Sequence, residues 1–248
     1  MTTAKAVSES LAEALGRSFA SVESYGLVLR KFGWWQAAKR GRGARPMTSM
    51  EAAKLLLAVM SEGPSDLAGP DGTGFFLRYA NLALLPSIRD DAVIAAVRDE
   101  IGVARNGEFL DYLDGFVRLF RDGRATDLIF HAPYDEGQVD EWVWDGPGID
   151  VRVKGPFPLA SISFLLTREF CDRHGLSQEP GRCLIPFVDQ MYGWAADAEE
   201  AGAPDGAFSD AIEAIRKQHS RGVQFERAIG GREVEAVASV LEKPEATN

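Results

Sequence analysis

The segment Lys39-Arg40-Gly41-Arg42-Gly43-Ala44-Arg45 places four cations in seven positions, broken by two glycines. Arginine presents a planar fork of donors that matches phosphate oxygens, and lysine adds a compact charge. Glycine lets one backbone approach another, so the pattern suits contact with a phosphate strand or entry into a narrow groove. Four neutralised phosphates would give a log–log salt slope of about −4 per protomer. The competing reading is an exposed, solvated charge run. Just upstream, Ser21, Ser24, Arg30 and Lys31 fall in a segment of helical period. Ser21, Ser24 and Lys31 lie mostly off its apolar stripe, where hydroxyls and an ammonium can reach base edges, although serine discriminates poorly among them. Arg30 is free to bond a phosphate or to pair with Glu51. The plainer alternative is a core helix with solvated polar positions.

Elsewhere the residue types carry less chemistry. Cys171, His174 and Cys183 offer at most three zinc ligands, whereas a structural site takes four at paired short spacings. Cys183 opens an apolar run, where a free thiol behaves as a small hydrophobe. His131 with Asp135, Glu136, Asp140 and Glu141 matches no metalloenzyme spacing. The sequence contains no Walker loop, GxGxxG, GxSxG or HExxH pattern. Gly202–Gly206 reads as a turn, and Trp142, Trp144 and Trp194 as core or interface residues. These patterns predict no catalytic residues, no metal, no cofactor and no enzymatic activity.

Behind the basic segment stands a run of elements that must position it. Val7, Leu11 and Ala14/Leu15 are helically spaced over residues 3–15, with Gly16 as the stop. Ser18 or Ser21 can cap a second helix whose stripe is Val22, Tyr25, Leu29 and Phe32, ending at Gly33. Trp34 and Trp35 read as a short strand with one ring inward, followed by the basic loop and the return at Pro46 and Met47. Thr48 and Glu51 fit a capping box for the apolar helix EAAKLLLAVM. Residues 63–74, rich in Gly, Pro, Ser and Asp, read as a linker, the alternative being a surface loop within one domain. Helical stretches are expected at Phe75–Leu85, Asp90–Val103 and Glu108–Arg121. The period then changes to two at Leu128–His131, Val139–Trp144, Ile149–Val153 and Leu159–Leu166. Asp145–Gly148 reads as a hairpin loop and Gly155–Pro158 as a turn. The alternation in Ile149–Lys154 predicts one sheet face toward water. Helices at Asp189–Glu200 and Phe208–His219, a short strand at Val223–Ala228 and a closing helix at Glu233–Leu241 complete the chain.

Leu11-Ala-Glu-Ala-Leu-Gly, then Ser21-Val-Glu-Ser-Tyr and Leu29-Arg-Lys-Phe-Gly-Trp-Trp, resemble winged helix-turn-helix regulators. In those proteins an A-x-x-L-G helix precedes a recognition helix ending in L-x-x-x-G-aliphatic. The Arg-Gly-Arg-Gly-Ala…Met-Thr tail is also similar to small DNA-binding proteins of phages and prophages. The resemblance covers the first 60 residues or so, and tryptophans stand where an aliphatic pair is usual. It implies that the Phe19–Phe32 helix enters the major groove and that Lys39, Arg40, Arg42 and Arg45 follow the flanking backbone.

Charge is distributed accordingly. The 248-residue chain carries a net −10, yet residues 1–50 hold eight basic and three acidic side chains, a local +5, leaving −15 for the rest. A basic head on an acidic body orients the molecule on a polyanion. A hydrophobic content of 46% suits a packed core. No apolar run reaches the ~20 residues of a membrane span, and the start lacks a signal-peptide core, so a cytoplasmic protein is expected. The fold class expected is α+β: a winged helix-turn-helix over residues 1–62, a linker over 63–74, and a mixed helical and antiparallel-sheet body over 75–248. The function expected is a sequence-specific transcription regulator of bacterial or phage type. It would act on double-stranded DNA as a dimer or higher homo-oligomer, away from membranes, with a possible protein partner on the acidic body. The rivals are a phage DNA-packaging or structural component built on the same module, and an enzyme with an α+β body.

Overall fold

The computed structural model describes residues 3–36, 46–61, 63–68, 74–130, 148–155, 158–176, 182–188 and 225–241. Within them the fold is a mixed one, several helices and a five-stranded antiparallel sheet. The basic segment 39–45, the acidic segment 131–147, the hairpin loop at 145–148 apart from Gly148, and the helices expected at 189–200 and 208–219 lie outside the described residues.

The first three helices form where local signals put them. Helix α1 (Ala4–Ala14) is capped by Thr3 and stops at Gly16, which takes φ +60°. Helix α2 (Phe19–Lys31) is capped by Ser18, whose hydroxyl accepts from Ser21 N–H, and ends before Gly33 at φ +72°. Helix α3 (Ser49–Val59) opens on the full capping box of Thr48 and Glu51. Nearly every α3 residue is buried, including the consecutive Leu55, Leu56 and Leu57. A helix apolar all round must be covered all round. It packs on α2 on one side, and on α7 (Phe109–Arg121) and α10 (Gly231–Ser239) on others.

Short elements link this group to the sheet. They are α4 (Pro64–Ala68), α5 (Phe75–Ala80), β1 (Ala83–Leu84), a 3-10 turn at Pro86–Ile88, α6 (Ala92–Glu100) and α8 (Ala125–Leu128). Strands β2 (Ile149–Gly155), β3 (Leu159–Leu165), β4 (Arg182–Val188) and β5 (Phe225–Gly230) follow, with α9 (Arg168–Arg173) between β3 and β4. The strand order is β1-β4-β3-β2-β5, antiparallel throughout. Strands β2 and β3 form a hairpin in which Lys154 pairs with Leu159, in keeping with the turn expected at 155–158.

The period of two in β2 does what alternation requires. Ile149, Val151 and Val153 are buried on the inner face, while Arg152 and Lys154 reach the outer one. There Arg152 pairs with Asp150 and, at 2.8 Å, with Glu226 of β5, which also takes Lys154 at 3.1 Å. Hydrogen bonds from Arg152 and then Lys154 hold the Glu226 carboxyl below the usual carboxylate range. The inner face meets α7 through aromatics: Phe116 lies 5.2 Å from Phe164, and Phe109 and Tyr112 lie 5.2 and 5.0 Å from Phe187, centroid to centroid. One buried apolar cluster therefore runs from Val7 and Leu11 through α3 and α7 to the sheet and Leu241.

Five local expectations differ from what is found. The helical stretch expected at Phe75–Leu85 ends at Ala80, and Ala83–Leu84 instead pair with Val188 and Phe187 as the edge strand β1. Trp34 and Trp35 make a bend, not a strand, because both amides turn back to the Leu29 carbonyl at 2.9 and 3.1 Å. Part of 63–74 is helix α4, with Pro64 as its first residue and Leu67 fully buried. The expected strand at Leu128–His131 is instead the end of α8 followed by a single bridge, Ile129 to Leu166. Strand β4 was not anticipated at all, and the strand expected at 223–228 falls at 225–230. No helix among the described residues is long and apolar enough to cross a membrane.

Candidate nucleic-acid interface

Helices α1 and α2 join through a four-residue turn closed by Leu15 N–H to Leu11 O (3.0 Å) and Arg17 N–H to Ala12 O (2.8 Å). Val7 and Leu11 of α1 and Val22, Tyr25 and Leu29 of α2 are buried in the common core. That fixes which side of α2 faces out. Ala20, Ser24, Leu27 and Lys31, at helical offsets of four, three and four, make the outer stripe. Leu27 is 58% exposed, an unusual place for a large apolar side chain. Leu27 lies off the apolar spacing of Val22, Tyr25 and Leu29, and nothing in that spacing marks it as functional.

The residues singled out on this helix divide in two. Ser21 and Lys31 are exposed. Ser24 is half-buried, and its hydroxyl donates to Ser21 O at 2.6 Å, so it meets any outside group as an acceptor. The Lys31 ammonium lies 5.6 Å from the Phe32 ring centroid. Arg30 sits on the flank, its guanidinium 5.5 Å above the ring of Trp35. It thus covers an indole as well as carrying charge. Lys39, Arg40, Arg42 and Arg45 lie outside the described residues.

What precedes and follows those four cations is tied down. Glu51 is buried, and one of its oxygens accepts from Thr48 N–H at 3.1 Å while the other accepts from Gln36 N–H at 3.4 Å. A single carboxylate therefore holds both flanks of the basic segment. Lys54, on the next turn of α3, donates to Trp34 O at 2.9 Å and fixes the approach to Gln36. Trp34 stacks between Phe32 (5.2 Å) and Phe76 of α5 (4.5 Å). The capping box was visible in sequence, but the Gln36 contact joins residues 15 apart and has no local signature.

Trp35 is the keystone of this corner. It is 3% exposed, and its ring lies so near α2 that a Cβ added to Gly26 would stand 2.7 Å from Trp35 Cζ3. Gly26 is in helix, where alanine is intrinsically better by about 1 kcal/mol. The clash reverses the sign. Gly26→Ala is expected to destabilise the chain by about 1–3 kcal/mol, measured by urea denaturation. A stabilised Gly26→Ala protein would mean that the ring moves aside freely.

The cysteines take no part in this face. Cys171 and Cys183 are both buried, and burial pushes the Cys183 thiol up to about 12, so it stays neutral in the core. Among the described residues no group of three His, Cys, Asp or Glu side chains is placed to hold a metal ion. Comparison of the chain with protein-family models, with characterised proteins and with solved structures finds no match.

Proposed function

We propose that the chain is a sequence-specific DNA-binding transcription regulator of bacterial or phage type, with residues 1–62 acting as a winged helix-turn-helix and the remainder as an assembly or effector body. The observation that carries this reading is the Glu51 clamp. It fastens Gln36 and Thr48 to the start of α3, so the four cations between them issue from a fixed base at the end of α2. Alongside that base, α2 offers an outward stripe of half-buried Ser24 and exposed Leu27 and Lys31. In a major groove these three suit, in turn, a base-edge donor, a thymine methyl and a guanine edge or phosphate. The acidic balance of residues 51–248 supports a preferred orientation on the duplex. A single module makes few base contacts, so useful affinity calls for a dimer or higher oligomer.

Selection of bound fragments from random duplex DNA, followed by sequencing, tests the reading. The expected result is an enriched motif. Lys31→Ala and Leu27→Ala should each lower the preference for that motif by about 1 kcal/mol or more while changing non-motif binding less. Absence of any enriched sequence would overturn specific recognition. A ring of eight or more subunits on ultracentrifugation would favour a DNA-packaging component instead.

A further inference from the structure

The rings of Phe32, Trp34 and Phe76 stand in one nearly parallel rank. Phe32 and Trp34 lie 5.2 Å apart with planes at 23°, and Trp34 and Phe76 lie 4.5 Å apart at 22°. These are offset-stacked distances. Burial falls along the rank: Phe76 is buried, Trp34 is half-buried, and Phe32 is 39% exposed at the outer end. The base of the rank is rigid. Phe76 sits in the common core, and Lys54 donates to Trp34 O at 2.9 Å. The amide of Trp34 bonds back to Leu29 O at 2.9 Å, and that of Phe32 to Val28 O at 3.1 Å. Among the described residues no further ring continues the rank beyond Phe32.

The open ring stands in cationic company. The Lys31 ammonium is 5.6 Å from its centroid, and the Arg30 guanidinium covers Trp35 close by. From Ser24 to Met50 the sequence holds six basic side chains and no acidic one, although the whole chain has 37 acidic against 27 basic. A purely apolar partner would use the ring and leave the cations unanswered. An acidic partner without flat groups would use the cations and leave the ring in water. A nucleotide carries a flat π-face and a phosphate in one unit, so it answers both. Duplex DNA keeps its base faces inside its own stack, so the face of Phe32 suits a base that is unpaired.

We propose that Phe32 is a stacking platform for one unpaired base of single-stranded DNA, with Trp34 and Phe76 backing the ring and Lys31 on the adjoining phosphate. The base extends the rank by one step. The flexible four-carbon stem of Lys31 lets its ammonium leave the ring for the phosphate. Every base has a π-face, so the contact is tolerant of sequence, unlike the reading of base edges from the outer stripe of α2. Lys31 is common to the two modes, whereas Phe32 and Trp34 contribute only to this one. Failure of either mode leaves the other standing.

Fluorescence anisotropy of the full chain with a labelled oligothymidylate of about ten nucleotides tests this, against an abasic strand with the same number of phosphates. The thymidylate strand is expected to bind about tenfold tighter or more, since the two strands differ only in what can stack. Phe32→Leu should erase most of that difference and leave the abasic strand bound as before. Phe32→Tyr, which keeps a stacking ring, should bind both strands as wild type does. Melting temperatures of the two variants establish that each is folded. Duplex DNA should be held equally well by wild type and Phe32→Leu. The proposal is overturned if wild type binds the two strands alike, or if folded Phe32→Leu holds the thymidylate strand as tightly as wild type. It is also overturned if Phe32→Leu loses duplex and thymidylate binding in equal measure, which would place the ring inside a duplex. An enriched duplex motif without any preference for thymidylate over the abasic strand would remove this platform and leave the regulator reading intact.

Discussion

Trp35→Ala is expected to lower the free energy of unfolding by about 3–5 kcal/mol, the range for emptying a large aromatic site in a packed core. The ring fills the slot left by Gly26, lies under the Arg30 guanidinium and is almost wholly out of water. Collapse into the hole is resisted because α2 and α3 are both anchored elsewhere in the core. The indole N–H has no hydrogen-bond partner. Trp35→Phe therefore orphans no polar group and should lose only about 1–2 kcal/mol. Guanidinium or urea denaturation of the three proteins checks both figures. A loss below about 1 kcal/mol for alanine would show that the corner relaxes without the ring. Because Gln36 follows directly, Trp35→Ala should also loosen the base of the basic segment and raise the Kd for DNA beyond what the remaining folded fraction explains.

Arg42→Ala combined with Arg45→Ala is expected to weaken binding to any duplex by about 10- to 100-fold at physiological salt, at 1.4 kcal/mol per tenfold. Each arginine that neutralises a phosphate releases about one counterion. The slope of log Kd against log salt should therefore become shallower by about 2. The loss should be nearly the same for every sequence, since backbone contacts position the protein without reading bases. Fluorescence anisotropy over a salt series measures both quantities. Equal affinity and equal slope in the double variant would remove these two side chains from the interface. The melting temperature of the double variant serves as the control for folding.

Much of the helical frame was legible because its signals are local. Ser18, Gly16 and Gly33 mark ends through backbone geometry that needs no tertiary partner, and Thr48 with Glu51 closes a box within four residues. The alternation in β2 and the stripe of α7 likewise follow from period alone. What escaped reading depends on distant partners. Trp34 and Trp35 have strand-forming side chains, but the Leu29 carbonyl captures both amides. Strand β4 exists because β3 offers it a register from Leu159 to Leu165, and its Pro186 weakens any local strand signal. On the candidate face, Ser21, Ser24 and Lys31 could be placed on the outside of α2 from spacing. The engagement of Arg30 with Trp35, and the reach of Glu51 to Gln36, belong to a fold-back that spacing does not encode.

The burial of α3 on every side bears on how the N-terminal helices can be handled. They are not a cassette. Severing the chain near residue 61 would strip α3 of its α7 and α10 cover and leave only its α2 side packed, so part of the run Leu55, Leu56 and Leu57 would meet water. The piece would aggregate where an excised DNA-binding module ordinarily survives alone. Within the intact chain α3 works as a shared beam. It carries α2 on one flank and α7 on another, and α7 rests its aromatics on the sheet. A push at the outer surface of α2 is therefore passed through α3 and α7 to the sheet as well.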